Sequence, residues 1–475
     1  MLVKRLLKAL GREEPVADAE IGGVTHRLEE CKGKLFFDLK QGAEGADLAF
    51  AARKAGAAVV AASEAADGDT VVFEDVRAAY ALASAAFYGN PERELKIVTV
   101  VGTNGKTTTA CMIAHILRET GHPTVMIGTP GVDFGSGFES CELTTPDPDR
   151  LFAVLRRAVD AGCRYVVMEE SAHAIYFKKT YGITAEVAVF TNFSRDHLDF
   201  FATMEGYRAV KTGYFVSENV KTAVVNADDE AGRGILFAGR VPTVSYGLYE
   251  PSDTFALDPD QRDGIRCVVN CNDQIFPLQI PFSGEFNLYN ALAAVTAAVQ
   301  LGIDGAKAAF ALRSMHPVAG RFEWVSGGDR RVVIDFAHTP DGLHNLLLAV
   351  RPLVKGKMIV VFGCGGNRDA GKRPLMGAVA AESGDYLVLT EDNSREEKTE
   401  DIIADIIRGF PQGFDAYRIE PVRKHAVRAA LELATPDDVV VLAGKGAEPY
   451  LEKQGIKHPY SDRNEVEQWI RRYNR

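Results

Sequence analysis

The sequence predicts an α/β protein of three domains built on mostly parallel sheets, and three observations predict it. Short apolar runs alternate with helix-like patterns along most of the chain, as in successive βαβ units. A glycine-studded turn, Gly102-Thr103-Asn104-Gly105-Lys106-Thr107, stands between one such run and the helix-like pattern after it. A second alternating block begins near Pro317. The 475 residues suit three domains at about 150 residues each.

Taken in order, the opening MLVKRLLKAL reads as a short amphipathic helix. No small-residue cleavage site follows, so no signal peptide is expected. AAVVAA and TVVF are short apolar runs, and VRAAYALASAAF is a helix that ends at Tyr88-Gly89-Asn90-Pro91, a plausible linker. Residues 1–92 are therefore expected to form a small α/β domain. Across 93–315, KIVTVV, YVVMEE, VAVFTN and TAVVNA are candidate strands of a doubly wound, mostly parallel sheet. TFALDPDQRDGIRCVVNCNDQIFPLQIP reads as a β-hairpin region, and GEFNLYNALAAVTAAVQLG as the helix that closes this domain. Across 316–475, RVVIDF, GKMIVVFG, DYLVLTED and DVVVLAG are strands of a second, Rossmann-like domain. No repeat at solenoid spacing and no low-complexity segment interrupts the pattern.

Composition narrows the function classes. With 46% hydrophobic and 25% charged residues the chain has the balance of a globular protein, and no apolar stretch nears the ~20 residues that span a bilayer. A net charge of -11 argues against a nonspecific grip on nucleic acid. Seven scattered cysteines point to reduced thiols and a cytoplasmic protein. Cys267 and Cys271, the one close pair, fit alternation in a strand better than zinc.

The glycine-rich turn carries the first chemistry. Such a turn presents backbone N–H groups to a phosphate at a helix start, where the helix dipole favours negative charge. Lys106 supplies a cation for the outer phosphates and Thr107 a hydroxyl for Mg²⁺. The strict pattern has glycine where Val100 stands, so this loop is a variant. Two later strand candidates end in Glu169-Glu170-Ser171-Ala172-His173 and in Arg195-Asp196-His197-Leu198-Asp199. Ligands of open α/β sheets gather beyond the carboxyl ends of the strands, which favours metal and substrate contacts at both clusters.

GTNGKTTT, TTPDPD, MEESAHAI, VFTNFSRDHLDFF, VVNADDE, GEFNLYNALAA, AGRFEWV, VVIDFAHTPDGL, VVFGCGGNRDAGKRPLMG, EDNSREE and AGKGAEPY occur in the order found in the Mur ligases. From about residue 97 onward the chain resembles that family closely, and within it the MurE branch that adds the third residue, meso-diaminopimelate, to the peptidoglycan stem. Over the first ~90 residues the resemblance is weaker. It implies ATP-dependent amide formation through an acyl phosphate, with Mg²⁺, on a UDP-N-acetylmuramoyl-L-Ala-D-Glu acceptor, by a monomer in the cytoplasm.

Position by position, the resemblance implies that Lys106, Glu169, His197 and a carbamylated Lys211 form the catalytic set. Thr107, Glu169, His197 and Lys211 would hold the metal. Gly102, Thr103, Asn104, Gly105, Lys106, Thr107, Thr108, Asn287, Asn290, Arg321 and Asp335 would bind ATP. Thr144, Thr145, Ser171, His173 and Lys179 fall to the acceptor. Arg373, Asp392, Asn393, Arg395, Gly444 and Glu448 fall to the incoming amino acid. Arg395 suits a bidentate pair with a distal carboxylate, which lysine lacks as a substrate.

Several positions depart from the family pattern. Gly23-Val-Thr25-His26-Arg27-Leu28 stands where the family has Gly-Val/Ile-Thr-x-Asp-Ser-Arg, so a serine that helps to bind the uridine diphosphate is missing. Lys179 replaces an arginine, Ala172 a serine, Phe201 and Ala447 histidines, and Ser394 a proline. These changes leave open a paralogue that joins an amino acid to a different carboxylate. A catalytically silent ATP-binding subunit would be expected to lose Lys106, Glu169, His197 or Lys211, and all four are present.

Overall fold

Alternation of short β-formers with alanine-rich amphipathic stretches builds parallel sheets covered by helices. The computed structural model describes residues 1–12, 19–40, 42–65, 70–262, 264–327 and 329–473. Among these the strands assemble into sheets of four, eleven, six and two. The first sheet is parallel throughout, in the order β1 (Val24–Thr25), β2 (Leu35–Phe37), β3 (Val59–Ala62), β4 (Thr70–Val72). Leu6, Phe37, Val71 and Tyr80 bury its core under the opening helix Val3–Ala9 and the helix Val76–Phe87. That second helix matches the predicted span and is capped by Asp75, whose carboxylate accepts from Ala78 N at 2.9 Å.

The central sheet holds the site. Its parallel centre runs β6 (Thr124–Gly128), β9 (Tyr165–Glu169), β5 (Lys96–Val101), β10 (Ala185–Phe190), β11 (Ala223–Asn226), β12 (Thr243–Gly247). β7 (Gly131–Asp133) and β8 (Phe138–Glu139) extend it at one edge; β13 (Thr254–Asp260), β14 (Ile265–Cys271) and β15 (Gln274–Ile280) extend it at the other. The expected hairpin region is thus a three-stranded antiparallel extension, with Cys267 and Cys271 both buried on the core face of β14. β6 and β12 escaped the sequence reading. Thr-Val-Met-Ile-Gly is short, and Thr-Val-Ser-Tyr-Gly is broken by Ser245, whose hydroxyl and N–H both donate to Asp253. After β5 the chain turns to β6 and β9 on one side, and later to β10 on the other. The carboxyl end of β5 is therefore the switch point at which ligands collect.

Two helices cover this face of the sheet, Lys106–Glu119 after the glycine-rich loop and Glu285–Gln300. Ala110, Ile113 and Leu117 of the first pack in one core with Leu288, Ala291 and Val295 of the second. The second helix does not close the block, since Gly305–Ala311 adds one more.

The last sheet has the order β16 (Glu323–Gly327), β17 (Arg330–Asp335), β21 (Val439–Ala443), β18 (Met358–Phe362), β19 (Tyr386–Leu389), β20 (Tyr417–Ile419). It is parallel except for β16, an antiparallel edge strand not anticipated from the sequence. A small antiparallel pair follows, β22 (Tyr450–Lys453) and β23 (Ile456–Pro459). Among the described residues no helix is long and apolar enough to cross a membrane.

Candidate active site

The loop after β5 is shaped by what surrounds it. A Cβ at Gly102 would lie 1.8 Å from Thr191 Oγ1, and one at Gly105, where φ is 82°, would lie 2.5 Å from Asn290 Oδ1. Glycine is required at both positions by close approach. The end of β10 braces the loop. Asn192 Oδ1 accepts from Asn104 N at 2.9 Å, and Thr191 Oγ1 donates to Asn104 O at 2.6 Å. Behind the loop, Thr109 donates to Asn290 Oδ1 at 3.1 Å, and Asn287 donates to Ser283 O at 2.8 Å. Thr103 and Thr108 are buried. Lys106 Nζ donates to Gly102 O at 3.0 Å and to Thr103 O at 2.9 Å, and burial lowers its pKa against the pull of Glu169 and Asp196.

A second lysine meets the same loop. Lys211 on the helix Met204–Phe215 is buried, donates to Gly102 O at 2.5 Å and lies 4.8 Å from the Tyr207 ring centroid. Burial first, and Lys106 next, push its pKa well below the usual lysine value. A neutral amine is the form that adds carbon dioxide, so this environment suits the modification the resemblance implies. Tyr207 in turn shares a 3.3 Å hydroxyl contact with Thr103.

Glu169 ends β9 fully buried, with Thr129 donating to it from N at 2.8 Å and from Oγ1 at 3.3 Å. His197 is held at φ 55°, a left-handed conformation rare outside glycine. Burial, against the field of Asp196, pushes its pKa down to about 3, which leaves a neutral imidazole able to ligate. Among the described residues no group of three or more His, Cys, Asp and Glu side chains is placed to hold a metal ion by itself. Isolated oxygen donors suit Mg²⁺, which is usually bound by one or two carboxylates together with phosphate oxygens, and Thr107 and Glu169 supply such donors.

The last domain reaches into this centre. Arg321 donates to Thr107 Oγ1 at 3.1 Å and lies 4.3 Å from the Phe336 ring centroid. Asp335 accepts from Phe322 N at 2.6 Å and from Ala337 N at 2.7 Å, and so shapes the turn that carries Arg321. Asn104 donates to Asp341 at 3.0 Å. Two loops, one from each domain, pair through opposite charges. Arg195 donates to Asp369 at 2.8 and 3.0 Å, Asp196 meets Lys372 at 3.4 Å, and Asp199 meets Arg368 at 3.4 Å. Asp196 also meets His197 and His338, each at 3.4 Å.

Among the residues expected to meet the acceptor, Thr145 donates to Glu169 O at 2.9 Å and to Ser171 Oγ at 3.3 Å, and Thr144 shares a 3.0 Å contact with Thr129. Lys179 meets Asp147 at 2.8 Å, and that carboxylate also takes His26 at 3.1 Å and Arg27 at 3.2 Å from the first domain. His173 packs 4.8 Å from the His197 ring, within an aromatic group that includes Phe200 and Phe201.

On the amino-acid side, Asp392, Asn393, Gly444 and Glu448 converge: Asn393 donates to Glu448 at 3.0 Å, and a Cβ at Gly444 would lie 2.9 Å from Asp392. Arg395, at φ 50°, donates to Gly366 O at 2.7 Å and meets Glu452 at 3.3 Å. Arg373 is engaged by Glu397 at 2.8 Å and Asp405 at 3.0 Å, and it donates to Gly365 O at 3.3 Å. It therefore braces the glycine loop beside Arg395.

Sequence reading passed over Asp147, Thr129, Tyr207, Asp341 and the paired loops. The pairing of the loops follows no register that the sequence could report, since Arg195 takes Asp369, Asp196 takes Lys372 and Asp199 takes Arg368.

Comparison with known proteins adds an independent line. A family model described as Mur ligase middle domain matches residues 100–298, and one described as Mur ligase, glutamate ligase domain matches residues 320–446. The chain is 40% identical over 474 residues to a UDP-N-acetylmuramoyl-L-alanyl-D-glutamate–2,6-diaminopimelate ligase of Chlorobaculum tepidum, covering 95% of this chain and 92% of that one. It is 38% identical over 461 residues to the ligase of the same name from Syntrophomonas wolfei, covering 94% of each. A solved structure of a ligase of that name superposes with a TM-score of 0.70 at 28% identity, covering 99% of both chains.

Proposed function

The chain belongs to the Mur ligase family, and from that premise we propose that it is the ATP-dependent ligase that adds meso-diaminopimelate to UDP-N-acetylmuramoyl-L-Ala-D-Glu in peptidoglycan synthesis. One observation carries this reading: likeness to ligases of that name extends over 95% of the chain, the divergent first domain included. The observation favours the ordinary acceptor over a different carboxylate.

The acceptor's carboxylate oxygen attacks the γ-phosphorus of ATP, the bond to the β-bridging oxygen breaks, and ADP leaves. The free amine of the amino acid then attacks the acyl phosphate carbon, and the tetrahedral species expels inorganic phosphate and loses a proton. Both steps depend on positioning and on charge neutralisation. Asn192 holds the N–H groups of Thr103 and Asn104, so those of Gly105 and of the helix start would meet the phosphates, with Lys106 as the cation for the β- and γ-phosphates. Arg321 brings a second cation, which is in place only when the domains meet. Thr107, Glu169, His197 and a carbamylated Lys211 would hold Mg²⁺, which would supply further neutralisation of phosphate charge. Asn287 and Asn290 support the base side of the nucleotide site. Thr144, Thr145, Ser171, His173 and Lys179 line the acceptor's approach. Arg395 takes the distal carboxylate of diaminopimelate, with Asp392, Asn393, Gly444 and Glu448 around the amino-acid backbone. The chain works as a monomer in the cytoplasm, where its seven free cysteines stay reduced.

Phosphate release from ATP with the UDP-linked dipeptide tests the reading, with meso-diaminopimelate, L-lysine or no amino acid present. Release with diaminopimelate and a product of matching mass is expected. Silence with all three, alongside demonstrable ATP binding, would reject it. Arg395→Ala is expected to lower turnover with diaminopimelate while ATP binding stays as it was.

A further inference from the structure

The strand ends of β19 and β21 meet around a lysine that neither the motif roles nor the comparisons assign. Lys445 is fully buried, and its Nζ reaches three residues of the proposed amino-acid site. It donates to Asn393 Oδ1 at 2.8 Å and to Glu448 Oε2 at 2.5 Å, and lies 3.6 Å from Asp392 Oδ1. Asn393 closes the triangle, its Nδ2 donating to the same Glu448 oxygen at 3.0 Å. The frame beneath is rigid. Arg423, itself fully buried, donates to Ala443 O at 3.0 Å, to Glu391 O at 3.3 Å and in bidentate fashion to Asp462 at 2.9 and 2.8 Å.

We propose that Lys445 is the positioning residue for amino-acid selection, fixing Glu448 and Asn393 so that the Glu448 carboxylate meets the ammonium of the incoming amino acid. A glutamate with its side chain 25% exposed at a tight turn, where Gly446 has φ 53°, would otherwise sample several rotamers. Two donors on Oε2 select one of them, with the Tyr450 hydroxyl a further neighbour of the carboxylate, and the group so fixed presents its charge to a substrate ammonium. Burial opposes the charge of Asp392, but Lys445 beside it, with Arg423, holds that carboxyl below the usual carboxylate range. Lys445 touches no substrate in this arrangement and acts through its partners. The inference rests on the assignment of Asp392, Asn393 and Glu448 to the amino acid.

The test uses the full-length enzyme and steady-state kinetics in each substrate separately. Lys445→Met is expected to raise the KM for diaminopimelate about 10- to 100-fold, the loss of a charge-assisted hydrogen bond at about 1.4 kcal/mol per decade, with the KM values for ATP and the UDP-linked dipeptide held within about twofold. Lys445→Gln, which keeps a donor to Asn393, is expected to fall between Lys445→Met and the unmodified enzyme, and it serves as the test should the methionine variant not fold. Because Lys445 acts through Glu448, adding Glu448→Gln to either variant is expected to give a combined effect well short of the product of the single effects. A KM for diaminopimelate that does not move, effects that multiply, or three KM values rising together would overturn the proposal. Glu448→Gln and Asn393→Ala alone separate the two levels. If neither changes the KM for diaminopimelate, the assignment of the site itself is wrong, whatever Lys445 does.

Discussion

At the junction of the first and central domains, one carboxylate gathers the basic side chains: Asp147 takes His26, Arg27 and Lys179. At the junction of the central and last domains, charge is distributed in separate pairs, Arg195 with Asp369, Asp196 with Lys372, and Asp199 with Arg368. The first arrangement gathers basic side chains beside Thr144 and Thr145, the proposed acceptor residues, and two of its partners, Arg27 and Lys179, depart from the family pattern. The second runs through Asp196 to His197 and sits beside Arg321 on Thr107. The first junction is built from residues outside the glycine-rich loop, while the second meets the loop's end at Thr107 through Arg321. Breaking each in turn should separate substrate affinity from turnover.

The largest effect is expected at Asp196. It is buried, and it faces His197, His338 and Lys372. Asp196→Asn leaves the Lys372 ammonium without its buried counter-charge. Removing one partner of a buried pair costs about 3–5 kcal/mol, so kcat is expected to fall on the order of 100-fold or more. Binding of ATP, followed by fluorescence of a nucleotide analogue, should fall far less. Equal losses in both would make Asp196 a support of the loop rather than a link between domain contact and His197.

A smaller and different effect is expected at the other junction. Asp147→Asn weakens its contacts to Arg27 and Lys179, so the KM for the UDP-linked dipeptide should rise about tenfold while kcat and the KM for ATP stay near their starting values. The same carboxylate makes stability depend on pH. Burial opposes its charge, but His26 and Lys179 outweigh burial and hold its pKa well below the usual value. A depressed folded pKa means that the unfolded chain binds the proton more readily. The stabilisation is then fully present above the ordinary carboxylate pKa of about 4, and is lost as pH falls below it towards the folded value. Thermal unfolding between pH 7 and pH 3 should show a steeper loss in the unmodified chain than in Asp147→Asn.

How much of this was legible in the sequence follows from the range of each interaction. β5 and its loop were plain because a strand buried on both faces reads as an unbroken apolar run and the glycines are local. β12 was hidden because Ser245 gains a partner eight residues away, in Asp253, which makes a buried strand look polar. β16 was hidden because an edge strand needs only one apolar face. Lys211 looks like any helix lysine, and only the resemblance marked it; its burial against Gly102 O is a contact across 109 residues. The partners of Asn104 and Arg195 lie 237 and 174 residues away, where no periodicity reports them. Arg373 shows the same limit. The motif reports its type and place, but not Glu397 and Asp405, which engage it beside Arg395.

The mildest change sharpens the comparison most, because it asks whether the paired loops act as separate bonds or as one. Arg195 is 37% exposed at its side chain while Asp369 is 7% exposed, so their pair stands at the rim and water screens it. Exposed pairs contribute about 1 kcal/mol or less, so Arg195→Ala is expected to lower kcat/KM about fivefold at low salt and less at high salt. Asp369 keeps the N–H of Gly371 at 2.9 Å after that change, and the loop should hold its shape. Asp369→Asn keeps an acceptor for that N–H and removes the charge. If the pair is an isolated bond, the double variant should be no worse than the poorer single variant. If its loss also loosens Asp196 from Lys372, the double variant should approach the defect of Asp196→Asn. That result would make the three pairs a single cooperative contact rather than a buried link with two dispensable neighbours.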